Sequence, residues 1–150
     1  MNTPSPLQTQ RTRLHWVLVW CIVAALAGLA CVVLPPYLLP GAKGPAYGHP
    51  QILWFAIAFA NFRVLPTMSL LFVLGMALGA AQPRGWLLLS CLAGSLPPVL
   101  NAINIIHDWT FDPTDHNLFP FEFAILAFVS LPALLGAFLG SKIGRVSDSQ

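Results

Sequence analysis

The ionisable residues of this chain gather in one window of eighteen residues, IIHDWTFDPTDHNLFPFE, at positions 105–122. The window holds four of the five acidic residues and two of the four histidines. His107, Asp112, Asp115 and His116 are hard or borderline metal ligands, so one interpretation is a metal site. Their spacing matches no compact ligand template such as His-Glu-x-x-His. A membrane enzyme with an outward-facing His/Asp site is therefore the third of three functional hypotheses.

The same residues also satisfy the rules for starting helices without any ligand. In the stretch DPTD, Asp112 can serve as an N-cap, with Pro113 at the first helical position and Asp115 at the third. Glu122 falls in the first turn of the apolar run that follows, where a carboxylate meets the positive end of a helix. We favour a structural loop over a small-molecule, partner or metal site.

A second polar group lies just before this window. Pro97 and Pro98 interrupt an apolar run, because each lacks an N–H and its ring clashes with the carbonyl four residues back. Asn101, Asn104 and Asp108 follow at helical spacing and can share one face. A polar stripe at a broken membrane helix would suit a substrate or ion pocket. The alternative, which we favour, is a kinked helix whose amides bond neighbouring backbones.

A charge pair is a further candidate. Arg63 and Glu122 both stand at the start of an apolar run and are expected near the same membrane boundary. A salt bridge between two helices is the favoured interpretation, and binding of an anionic group by Arg63 is the alternative. The chain has no Gly-x-Ser-x-Gly elbow and no cysteine beside a histidine, so we lean against an enzyme and expect no cofactor.

The elements that must position these residues are membrane helices. Hydrophobic residues make up 57% of the chain and charged residues 8%, whereas a soluble domain carries about 25% charged residues. The mean hydropathy is +0.74. There is too little polar surface to cover a soluble domain. We therefore predict an all-α integral membrane bundle in the lipid bilayer.

Four apolar runs are long enough to cross a bilayer. The predicted spans are about 14–39, 64–81, 86–106 and 120–141, which form one membrane domain over 14–141. A shorter run at 51–62 predicts an interfacial or re-entrant helix before span two. Residues 1–13 are expected to be a disordered cytoplasmic N-terminus and residues 142–150 a cytoplasmic tail.

Basic residues predict the orientation of the spans. With four spans both termini share one side, and that side holds Arg11, Arg13, Arg84, Lys142 and Arg145. The other side holds Lys43 and Arg63. This bias predicts a multi-pass protein of the bacterial cytoplasmic (inner) membrane with both termini in the cytoplasm. The chain has no basic cluster for nucleic acid.

Small residues recur at a spacing of four. Gly75 and Gly79 form one row, and Gly136, Gly140 and Gly144 form another. In lipid, such rows let helix backbones approach closely. We expect them to pack a compact bundle, with a subunit or partner interface along the second row as the alternative.

A weak internal repeat accompanies these rows. LPP occurs at 34–36 and 96–98, and GMALGA at 75–80 resembles GAFLGS at 136–141, so the separations are 62 and 61 residues. These separations suggest a parallel duplication of two spans, as in some transporters.

Two further functional hypotheses follow from this architecture. The leading one is a small accessory or structural membrane protein that associates with itself or with a larger membrane complex, given its brevity and its glycine rows. The second is a small transporter or channel module built on the polar stripe, which would have to oligomerise to form a pathway.

Overall fold

The computed structural model describes residues 6–38, 62–108 and 119–147 of the 150-residue chain. The described helices are α1 (Pro6–Leu38), α2 (Val64–Ala81), α3 (Trp86–Gly94), α4 (Leu96–Asp108) and α5 (Phe119–Ser147). Four segments are long and apolar enough to cross a membrane: Leu14–Leu38, Val64–Ala81, Trp86–Ile103 and Pro120–Val146. Among the described residues, the prediction of an all-helical fold with four such segments is confirmed. The segment predicted at 51–62 lies outside the described residues apart from Phe62.

Helix α1 begins earlier than the sequence suggested. It is helical from Pro6, so the prediction of a disordered segment over 1–13 is wrong from that residue onward. Proline is tolerated in the first turn of a helix, where its missing N–H would have no partner, and the glutamines and arginines that follow are good helix formers. Pro35 and Pro36 lie inside the last turn, and the helix ends at Leu38.

The third of these apolar segments, Trp86–Ile103, is interrupted at Ser95, between α3 and α4. Because Pro97 and Pro98 have no N–H, the carbonyls four residues before them lose their usual helical donors. The N–H of Ser95 still donates to the carbonyl of Cys91 at 2.9 Å, and the N–H of Val99 donates to the carbonyl of Ser95 at 3.0 Å. The break is therefore confined to one residue rather than being an unwound segment.

Helices α2 and α5 make the most extensive helix–helix contact among the described elements. Gly75 faces the backbone of Ala133, and Gly79 faces the backbone of Ala137. Since residue numbers rise together along the contact, the two helices run parallel. The turn at 82–85 reverses the chain between α2 and α3, which places α3 antiparallel to both.

Helix α1 runs parallel to α3 and α4. Ala24 shares a buried cluster with Leu89 and Ala93, and Val32 shares another with Leu100. The start of α1, the turn at 82–85 and the end of α5 therefore lie at one end of the bundle, here called the turn end. The opposite end, where α4 finishes and α2 and α5 begin, is called the pair end.

Candidate functional site

An amide and a carboxylate meet at the pair end. The side chain of Asn101 is 5% exposed, and its Nδ2 donates to Oε2 of Glu122 at 3.2 Å. Asn101 lies one helical turn beyond Pro97, which is fully buried, and Glu122 is half-buried in the first turn of α5. The polar stripe predicted on α4 therefore points into the bundle at Asn101. The favoured expectation was that this amide bonds a neighbouring backbone, but its partner is the side chain of Glu122 on α5.

The other polar candidates lie partly or wholly outside the described structure. Asn104, His107 and Asp108 continue α4 as backbone positions, and their side chains are outside the described residues. Asp112, Asp115 and His116 fall in the segment 109–118, which is also outside them. Within the described part, no group of three or more His, Cys, Asp or Glu residues could hold a metal ion. The metal site over His107–His116 stays a prediction.

Thr67 is a polar residue that the sequence did not single out. Its side chain is fully buried, and its Oγ1 has no hydrogen-bond partner in the described structure. Its backbone is satisfied, because its N–H donates to the carbonyl of Arg63 at 3.0 Å. A helical hydroxyl commonly bonds a carbonyl three or four residues back, as Ser130 Oγ does with Leu126 at 2.8 Å. No sequence signal separates Thr67 from such ordinary helical hydroxyls.

Helix register places Thr67 at the same end of the bundle as the amide–carboxylate pair. Gly75 approaches Ala133 and Gly136 approaches Phe72 across the parallel α2–α5 contact, so positions at the same level differ by about 61 residues. By that register Thr67 is level with Phe128, six residues after Glu122. Thr67 and Glu122 are therefore separated by nearly two turns, or ~9 Å of rise. A buried hydroxyl, a buried amide and a half-buried carboxylate therefore occupy the same end of the bundle.

Arg63 caps the same end of α2. It is the exposed N-cap residue of that helix, one turn before Thr67, so the register places it at the level of Glu122. The predicted salt bridge between Arg63 and Glu122 is compatible with this placement and stays a prediction.

The glycine rows of α2 and α5 face each other inside the chain. A Cβ atom added to any of them would overlap the backbone of the opposing helix. Gly75 and Gly79 meet Ala133 and Ala137, Gly136 and Gly140 meet Phe72 and Met76, and Gly144 meets Ala80. Gly136 and Gly140 are buried in this contact, which leaves no free face at these two positions for a second subunit.

This contact is symmetric under a shift of 61 residues. The approach of Gly75 to Ala133 corresponds to the approach of Gly136 to Phe72, and the approach of Gly79 to Ala137 corresponds to that of Gly140 to Met76. The same shift separates GMALGA from GAFLGS in the sequence. The two helices therefore meet as two copies of one helix would meet across a two-fold axis, which supports the hypothesis of an internal duplication.

The chain has no significant match to a protein-family model, a curated protein or a solved structure.

Proposed function

We propose that this chain is a small accessory or structural protein of the bacterial cytoplasmic membrane that associates with a larger membrane complex or with itself. The observation that carries the proposal is the limited coverage of α1 by the other described helices. Only 17% of the apolar window within Leu14–Leu38 is buried, compared with 39% of the window Trp86–Ile103. Because the other helices contact only a narrow face of α1, most of its apolar surface is available to neighbouring proteins in the membrane.

The two sides of α1 differ in residue size. The packed side presents small and β-branched residues, among them Ala24, Gly28 and Val32, to the rest of the bundle. The opposite side presents Leu18, Ile22 and Leu26, whose exposed fractions are 54%, 58% and 62%. Because the glycine rows of α2 and α5 are used within the chain, α1 is the element best suited to meet a partner helix.

Charge supports the proposed orientation. The turn end carries Arg84 on the turn and Lys142 and Arg145 near the end of α5, whereas Arg63 lies at the pair end. Basic residues concentrate on the cytoplasmic side of membrane proteins. The turn end and both termini are accordingly assigned to the cytoplasm, and the pair end to the opposite side of the membrane.

The proposal is tested by affinity capture of the full chain from native membranes in a mild detergent, followed by mass spectrometry. We expect the wild type to retain a defined partner or a second copy. Replacing Leu18, Ile22 and Leu26 together by alanine is expected to release it. The matched control replaces Ile125, Phe128 and Leu135, exposed at 58%, 61% and 61% on α5, and should retain it. A wild-type monomer that captures nothing would refute the proposal.

A second function, a small transporter or channel module, is favoured by two observations. The part-buried hydrogen bond from Asn101 to Glu122 and the unpartnered hydroxyl of Thr67 are polar groups inside the bundle, where a solute or proton pathway would need them.

Proton flux into liposomes that contain the purified chain and a pH-sensitive dye tests this function. Flux is expected to be reduced at least tenfold by Glu122→Gln and left unchanged by Ser69→Ala, because Ser69 is an exposed residue of α2 whose hydroxyl bonds Leu65. Wild-type flux equal to that of empty liposomes would remove the proton pathway from consideration.

A further inference from the structure

A groove of about 420 Å³ lies at the turn end between α1 and α3. Trp16, Val17 and Trp20 form its α1 wall, and Gln82, Gly85 and Leu88 belong to the opposite wall. Its volume falls within the range of about 300–1,000 Å³ typical of small-molecule sites. Aromatic and aliphatic side chains dominate the walls, so the groove suits an apolar occupant.

The position of the groove makes a lipid chain the appropriate apolar occupant. Its walls belong to the first turns of two membrane-crossing segments. Val17 is 49% exposed and Leu88 is 56% exposed on the surface that faces the bilayer. Tryptophans such as Trp16 and Trp20 favour the level of the lipid head groups, because their rings are amphipathic. One acyl chain can therefore enter the groove from the surrounding leaflet.

Two guanidinium groups lie where the head group of such a lipid would be. Arg84 is exposed on the turn, between the groove residues Gln82 and Gly85. Arg145 Nη2 donates to the carbonyl of Pro83 at 3.5 Å, which holds a second guanidinium against the same turn.

No acidic residue opposes these guanidinium groups at the turn end, as far as the described residues extend: Asp108 and Glu122 both belong to the pair end. The head-group level of the groove therefore has a positive charge that an anionic phosphate complements. Arginine is well suited to such contacts, because its planar fork matches phosphate oxygens.

The start of α3 adds further donors at the same level. Gly85 is the N-cap residue and provides no side-chain cap, and a Cβ atom on it would meet nothing within 4 Å. The first N–H groups of α3 are thus open to an anion, which the helix dipole favours.

We propose that this groove binds one anionic phospholipid, with an acyl chain between α1 and α3 and its phosphate against Arg84 and Arg145. Basic pockets between helices on the cytoplasmic side of a membrane are suited to anionic lipids, which are enriched in that leaflet. The lipid site and the proposed partner face use different side chains of α1. Trp16, Val17 and Trp20 line the groove, whereas the partner face consists of Leu18, Ile22 and Leu26.

Native mass spectrometry of the full chain, released from nanodiscs, tests the site. The probes are phosphatidylglycerol and phosphatidylcholine with identical acyl chains. We expect one phosphatidylglycerol to be retained in preference to phosphatidylcholine by at least tenfold. The double variant R84Q/R145Q should reduce this preference to twofold or less, since each arginine near the membrane surface contributes up to about fivefold. The control K142Q removes a cation that lies over the ring of Phe138, 5.2 Å from its centroid, and should change the preference less than twofold.

A variant that fills the groove tests separately whether the acyl chain of the lipid binds there. V17W should lower retention of phosphatidylglycerol about tenfold, whereas V73W, at a position 56% exposed on α2, should leave it unchanged. Equal retention of the two lipids by the wild type would overturn the proposal in favour of nonspecific lipid contact. Unchanged retention in V17W would also overturn it. A lipid-free wild-type dimer that V17W converts to a monomer would assign the groove to a second copy instead.

Discussion

The hydrogen bond between Asn101 and Glu122 joins α4 to the first turn of α5. An amide buried in an apolar bundle is costly unless its polar atoms are paired. Hydrogen bonds between membrane helices contribute about 0.6 kcal/mol on average and up to about 1.7. The bond links two helices whose connecting segment, 109–118, lies outside the described structure.

We predict that Asn101 and Glu122 are energetically coupled. Asn101→Leu removes the donor and should lower the free energy of unfolding by about 1 kcal/mol, since the carboxylate loses one hydrogen bond inside the bundle. Glu122→Leu should cost a similar amount. The double variant should be less destabilised than the sum of the two single variants, by about 0.5–1.5 kcal/mol. Unfolding in mixed micelles of increasing denaturing detergent measures the cycle, and strict additivity would contradict the coupling.

At Thr67, by contrast, we predict a substitution that raises the free energy of unfolding. Its Oγ1 is buried without a partner, and an unpaired buried hydroxyl costs about 1–3 kcal/mol. Thr67→Val replaces the hydroxyl by a methyl group of similar size, so we expect it to raise the free energy of unfolding by about 1 kcal/mol. The control Ser130→Ala removes a hydroxyl that is already bonded to Leu126 and should not stabilise the protein. A destabilised Thr67→Val variant would indicate that the hydroxyl holds a bound molecule.

At the scale of the elements, the parallel pair of α2 and α5 determines the architecture. Helices in lipid gain little from the hydrophobic effect between them and depend on close van der Waals contact instead. Gly79 and Gly140 allow that contact, because a Cβ atom on either would lie 2.8 Å from a backbone carbon of the other helix. Such a distance is shorter than any real side chain permits, so the approach of the two helices requires glycine at these positions.

We therefore predict that Gly79→Ala and Gly140→Ala each lower the free energy of unfolding by about 1–3 kcal/mol, the usual cost of overpacking a close contact. The control is Gly85→Ala, where an added Cβ meets nothing within 4 Å. Far-UV circular dichroism during detergent-induced unfolding measures all three variants. Gly79→Ala and Gly140→Ala variants as stable as Gly85→Ala would show that the two helices lie farther apart.

The lengths of the apolar runs predicted the spans well. They could not predict which helices pack against each other. The second predicted span, 64–81, coincides with α2, because Arg63 and the turn at 82–85 bound its apolar run. The spacing of Gly75 and Gly79 predicts a close contact, but a glycine row is compatible with any small-residue face. The choice of Ala133 and Ala137 depends on tertiary packing, which no local pattern contains.

The candidate site was also predictable only in part, because its contacts depend on tertiary packing. Helical spacing from Pro97 identified Asn101 as a residue of a polar face, and its burial follows from that pattern. The acceptor of the Asn101 amide was not predictable, since Glu122 lies 21 positions away in the sequence. The location of Glu122 in the first turn of a helix was already a sufficient reason for a carboxylate there, so no partner was expected. Thr67 gave no signal, because a buried hydroxyl without a partner differs from an ordinary one only in three dimensions.

At the scale of the whole molecule, the described chain has two unlike ends and a helix contact that repeats at a shift of 61 residues. Spans two and four pack with the symmetry of a duplicated helix, and spans one and three run parallel beside them. The turn end carries arginine and lysine, and the pair end carries Arg63, Asn101 and Glu122. Reversal of the chain after each apolar segment gives the odd segments one direction and the even segments the other, an arrangement that is compatible with a parallel duplication. In the orientation proposed above, the charge asymmetry between the two ends places the turn end in the cytoplasm.

The last prediction concerns that orientation. In a background with Cys21, Cys31 and Cys91 replaced by alanine, single cysteines are placed at Pro120, exposed at the pair end, and at Gly85, on the turn. Neither change alters the basic residues that determine topology. A membrane-impermeant maleimide should label Pro120→Cys in intact spheroplasts and label Gly85→Cys only after permeabilisation. The cysteine-free background serves as the control for nonspecific labelling. The reverse pattern would contradict a cytoplasmic turn end, and labelling of both sites in intact spheroplasts would contradict the four-span arrangement.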